Sequence, residues 1–145
     1  MTRSRLRGEG GFAAVEVAIL APVLIALGFL VVATGRVAGA NSKVDAAAYA
    51  AARAASIART ADTAQADAQA AAAASLTQAG QSCAPATVVV DTSGFAIPAG
   101  TPATITVRLS CAVPLSDLTM LPGLASTKVI AAQAVSSLDT YRGRS

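Results

Sequence analysis

One acid in this chain stands where acids are rare. Glu16 has apolar residues 12–15 on one side and nineteen uncharged residues, 17–35, on the other. A carboxylate in such a setting is costly and usually functional, and the chemistry it asks for is a cation to pair with. The other groups with distinctive chemistry are two thiols, Cys83 and Cys111, the only cysteines. Histidine is absent, and Glu9 and Glu16 are the only glutamates, so imidazole ligands and the usual general bases are scarce. Ser42-Lys43 and Ser126-Thr127-Lys128 bring hydroxyl and amine together in sequence but lack an assembled catalytic pattern. No enzymatic activity, metal or cofactor is expected.

The element that must position Glu16 is a membrane helix. Residues 17–35 (VAILAPVLIALGFLVVATG) reach about 28 Å as an α-helix, close to the roughly 30 Å hydrocarbon layer of a bilayer. Arg3, Arg5 and Arg7 precede it, whereas from Arg36 onward eight basic residues nearly balance six acidic ones. The positive-inside bias therefore keeps the N-terminus in the cytoplasm and sends residues 36–145 outside. A cleaved secretory signal would use the small residues Ala38-Gly39-Ala40. Against it, the apolar run exceeds a signal core, and Arg36 lies between that run and the supposed cut. The net charge of +3 makes no basic face with interleaved aromatics, so nucleic acid is not an expected partner.

The residues around the acid carry a resemblance. Gly10-Gly11-Phe12-Ala13-Ala14-Val15-Glu16 sets a glycine before a phenylalanine, with the glutamate fifth from that phenylalanine. This resembles the processing site of type IV prepilins, which a membrane-embedded prepilin peptidase cuts after the glycine. More narrowly, Glu16-Val17-Ala18-Ile19-Leu20-Ala21-Pro22 is similar to the E-x-A-x-x-x-P start of TadE-like minor pseudopilins of tight-adherence (Flp-type, type IVc) pilus systems. The resemblance implies a processed, membrane-held structural protein. Its implied partners are the prepilin peptidase, other pilins and pseudopilins, and the inner-membrane pilus assembly platform, with membrane lipid around the span.

Cutting after Gly11 would remove the three arginines and Glu9 and leave a free α-amino group on Phe12, whose ordinary pKa is about 7.7 to 8.0. Positions 12 and 16 lie one helical turn apart on one face, so the glutamate can meet its own amine or that of a neighbouring subunit. Pro22 lacks an amide hydrogen and either kinks the span or is an ordinary membrane-helix proline.

Beyond the span, 18 of the 29 residues from 46 to 74 are alanine, which favours helix. The membrane helix is expected to run on into this stem. Asp62 and Gln65 have capping-box spacing and predict a break near residues 60–63, with Asp62 as the cap, and Gly80 is the expected terminator. Val44, Tyr49 and Ile57 are expected to pack within the protein rather than against neighbouring subunits. After Gly80 the pattern turns to β. Residues 87–91 (TVVVD) form a short strand, and residues 104–113 alternate Ile105, Val107, Leu109, Cys111 and Val113 with small or polar residues, so one face is buried. Residues 115–121 read as a short helical turn and 128–136 as a third strand. A three-stranded antiparallel sheet needs a cover, and the alanine-rich helix is available.

The expected fold is therefore α+β: leader 1–11, transmembrane helix 12–35, helical stem 36–80 and a β-rich extracytoplasmic domain 81–145. Cys83 and Cys111 fall in the exported half, where a disulfide between them is the natural reading. The ending Asp139-Thr140-Tyr141-Arg142 also resembles that of some TadE-like proteins. The competing expectation is a single-pass anchored binding module whose loop 93–102 contacts a ligand.

Overall fold

The computed structural model describes residues 10–116 and 127–141. The basic leader at Arg3, Arg5 and Arg7, most of the turn expected at 115–121, and Arg142 lie outside the described residues. The chain divides into two units, Met1–Gly35 and Arg36–Ser145.

Helix α1 spans Gly10–Ile57 and contains Pro22, at which the backbone bond back to Ala18 cannot form. Among the described residues of the first unit its large apolar side chains are exposed: Val17, Ile19, Leu24 and Phe29 are each more than 60% exposed. A helix of this length and composition can cross a bilayer once. Thr34, near the end of the unit, returns its hydroxyl to the carbonyls of Leu30 and Val31, so its polar atom is satisfied within the helix.

The second unit is an α+β domain. Helix α2 spans Ala61–Gln78, and strands β1 (Ala86–Asp91), β2 (Thr104–Pro114) and β3 (Thr127–Ser137) form one antiparallel sheet in the order β1-β2-β3. The register pairs Val88 with Leu109 and Leu109 with Ala132, placing apolar residues of all three strands on one face. The alternation read in β2 holds, since Ile105, Val107, Leu109, Cys111 and Val113 are all buried. They share one core with Ala40, Val44, Ala47, Ala48, Ala51, Ala52 and Ala55 of α1 and with Ala64, Ala68, Ala72 and Leu76 of α2.

Two expectations are corrected. The cap of α2 is Thr60, not Asp62: Thr60 is extended, its hydroxyl accepts from the Thr63 amide at 3.2 Å, and the Thr63 hydroxyl accepts from the Thr60 amide. Asp62 falls instead in the first turn, where its charge suits the helix dipole. Of the three stem residues expected to pack inside, only Val44 does, because Tyr49 is 64% and Ile57 55% exposed. The core face of α1 is otherwise alanine, which leaves no volume for an aromatic ring between helix and sheet.

The end of α2 follows the expectation. Gly80 has φ +62°, its amide donates to Thr77, and the Gln81 amide donates to Leu76, which together make a Schellman motif. The chain then enters the sheet beside Ala112, whose carbonyl accepts from Ala84 and whose amide donates to Pro85.

Candidate functional site

The site predicted from sequence lies on the first turns of α1. Gly11 and Phe12 fall within the helix, and Glu16 follows Phe12 by four residues, about 6 Å along the axis and on nearly the same face. Glu16 is exposed and has no hydrogen-bond or ion-pair partner among the described residues. Pro22 lies within the same helix, in its apolar stretch. The four residues singled out in the sequence, Gly11, Phe12, Glu16 and Pro22, thus lie on one element, and the Glu16 side chain is exposed.

Far along the chain, Cys83 and Cys111 form a disulfide with their Cα atoms 5.1 Å apart. The bridge ties the segment after α2 to the buried face of the central strand. The described residues contain no cluster of three or more His, Cys, Asp or Glu side chains suited to a metal.

The second unit bears two shallow clefts of interest. One, of about 520 Å³, is bounded by Arg36, Gly39, Ala40 and Lys43 of α1, by Gly80, Gln81 and Ser82, and by Val113. The other, of about 340 Å³, lies between the loop at Ser93, Gly94, Ile97 and Pro102 and the end of β3 at Ser137 and Leu138. The loop is fastened by Asp91, whose carboxylate accepts from the Ser93 amide at 3.1 Å. Hydrogen bonds from the side chain and backbone of Ser93 hold the Asp91 carboxyl below its ordinary value of 3.8, with a smaller contribution from the positive charge of Arg108.

Sequence reasoning missed the role of Gln65. Its side-chain amide donates to the Val88 carbonyl at 3.0 Å and accepts from the Val90 amide at 3.1 Å. One side chain from α2 thereby mimics a neighbouring strand along the outer edge of β1. The capping-box spacing pointed to the wrong use of this residue, and no local pattern links it to a strand more than twenty residues away. The outward position of Tyr49, Arg53 and Ile57 was also missed, although the helical period carried it. Ala40, Val44, Ala47, Ala51 and Ala55 recur at spacings of three and four and mark the buried side.

Comparison with known proteins bears on the helix that carries this site. A family model described as TadE-like protein matches residues 11–53. No curated protein and no solved structure matches the chain. The matched segment contains the glycine, the glutamate and the proline singled out above, and the family implies a protein associated with the tight-adherence pilus. The apolar helix fits a single-pass anchor in such a protein. Over residues 11–53, less than half of the chain, the sequence is similar to TadE-like proteins.

Proposed function

We propose that the chain is a minor pseudopilin of a tight-adherence pilus or a related secretion system, cut by prepilin peptidase between Gly11 and Phe12. The observation that carries this reading is Glu16 inside the matched segment, exposed and without a partner among the described residues, one turn from the residue whose amine cleavage would free. An anchor alone has no use for a carboxylate on the lip of its span, because the charge only raises the cost of insertion. A pseudopilin uses it to meet the Phe12 amine of a neighbouring subunit where low dielectric makes the attraction strong. In this role the protein performs no chemistry of its own. Its second unit, residues 36–145, stands outside the cytoplasm, and its partners are the peptidase, other pilins and the assembly platform.

Two variants test this in cells carrying a matching peptidase. N-terminal sequencing of the wild type should begin at Phe12, and Gly11→Lys should block that cut. Glu16→Ala should still insert and still be cut, but should fail to co-purify with other pilins. A wild type beginning at Met1 or Asn41 refutes the processing step. Normal assembly of Glu16→Ala would return the protein to the reading of an anchored binding module, whose ligand surface would be the loop at residues 93–102.

A further inference from the structure

The cleft at the start of the second unit gathers cations where insertion least favours them. Arg36 and Lys43 both line it. They are the first two charged residues after the uncharged run 17–35. The proposed orientation places them outside, against the positive-inside bias, so ease of insertion does not account for them. Seven residues apart, or nearly two turns of α1, they share one face at a separation of about 10 Å along the axis. Between them stands Gly39, where an added Cβ would meet no atom within 4 Å, so the space over it is open.

The cleft holds no countercharge of its own, since none of the residues lining it is acidic. Asp45 follows Lys43 by two residues and therefore lies about 160° round the helix from it. Lys43 is half-buried, yet it has no hydrogen-bond or ion-pair partner among the described residues. A lysine partly withdrawn from water without a carboxylate calls for an anion from outside. Ser82, on the opposite wall, is exposed, and its hydroxyl makes no hydrogen bond among the described residues. Buried Ala40 and Val113 close the cleft below, and its volume of about 520 Å³ is that of a small-ligand site.

We infer that this cleft binds the headgroup of an anionic glycerophospholipid, with its phosphate between Arg36 and Lys43 and its free hydroxyls toward Ser82. A dissolved phosphate would meet the same cations, but the chain itself favours the lipid. Arg36 is joined directly to Gly35, the last residue of the uncharged run, and adjacent Cα atoms are about 3.8 Å apart. A cleft lined by Arg36 is therefore within side-chain reach of the membrane surface, however the second unit is turned. Tethering to that surface gives headgroups a high effective concentration at the cleft. A guanidinium offers phosphate two parallel N–H bonds and an ammonium adds a compact charge. The same two cations repel the amine of a zwitterionic headgroup, so the site selects net negative lipid.

This inference rests on the membrane anchor in the proposed function but not on leader cleavage or assembly. The test uses the full chain with its disulfide intact, purified in a non-ionic detergent and titrated with phosphatidylglycerol or phosphatidylcholine, with bound lipid counted by native mass spectrometry. Phosphatidylglycerol should bind about tenfold more tightly. Arg36→Gln combined with Lys43→Gln should weaken it about tenfold. Arg53→Gln combined with Arg59→Gln removes the same charge from exposed positions that do not line the cleft, and should change binding less than about twofold. Gly39→Leu keeps both cations but puts a side chain into the space between them, and should also weaken binding about tenfold. Equal affinity for the two lipids, equal losses in the two double variants, or unchanged binding in Gly39→Leu each overturns the proposal. Displacement of bound phosphatidylglycerol by an equal concentration of glycerol 1-phosphate also overturns it, and assigns the cleft to a soluble anion. Release of the wild-type chain from membranes by alkaline extraction would refute the anchor, whereas an anchored chain without lipid preference would refute the site alone.

Discussion

Gln65 gives the most quantitative handle on the second unit. Its two hydrogen bonds to Val88 and Val90 are part-buried, with good lengths of 3.0 and 3.1 Å. Removing them leaves one carbonyl and one amide on the edge of β1 without that partner. At about 1 kcal/mol for each neutral bond, the loss is about 2 kcal/mol, slightly offset in an alanine variant by better helix propensity. Gln65→Ala and Gln65→Met should both show it. Methionine keeps the length and apolar stem of the side chain while making neither bond. The measurement is urea unfolding of the full chain in detergent, read by pulse proteolysis of the second unit, together with hydrogen exchange over β1. A loss of 2 kcal/mol corresponds to about a thirtyfold faster exchange wherever opening of that edge controls the rate. If Gln65→Met stays within about 0.5 kcal/mol of wild type and β1 keeps its protection, Gln65 is an ordinary surface residue and the strand-mimic argument fails.

Three other perturbations follow from the same unit. Gly94→Ala would drive a Cβ into the Thr104 carbonyl oxygen and to 2.9 Å from Leu138 Cδ1, so a loss of about 1 to 3 kcal/mol is expected in urea unfolding. Replacing both Cys83 and Cys111 by alanine opens a loop whose ends are 28 residues apart, and should cost about 3 to 4 kcal/mol in the chain-entropy account. Because the folded Asp91 carboxyl is lowered below 3.8, its contribution is present above the unfolded value and is lost as pH falls through the folded one. Asp91→Asn should therefore flatten the acid limb of a stability-against-pH curve below about pH 4, while an unchanged limb would assign that loss to other carboxylates.

The parts of this protein that local pattern controls were legible in its sequence. Strand β2 announces itself because a half-buried strand must alternate, and the observed burial of Ile105 through Val113 follows that period. The helix long and apolar enough to cross a bilayer is readable from length and composition alone. Gln65 was not readable, because both Thr60-x-x-Thr63 and Asp62-x-x-Gln65 can be written as caps, and only the position of β1 decides between them. Tyr49 and Ile57 misled for a different reason. Hydrophobicity favoured burial, but the space between α1 and the sheet is set by alanines, so volume decided against them.

That alanine interface has a consequence for how the unit tolerates change. An alanine carries no rotamer entropy to lose on folding and almost no side chain to delete, so shortening substitutions at Ala47, Ala48, Ala51, Ala52 or Ala55 can remove little more than one methyl group. Enlargement is another matter, since every added methylene must push α1 off the sheet or force strain into a close-packed layer. Mutational sensitivity should therefore run opposite to that of a leucine-rich core. Glycine would act mainly through the helix backbone, valine and leucine would be the damaging replacements, and sequence drift along this face would be confined to the smallest residues.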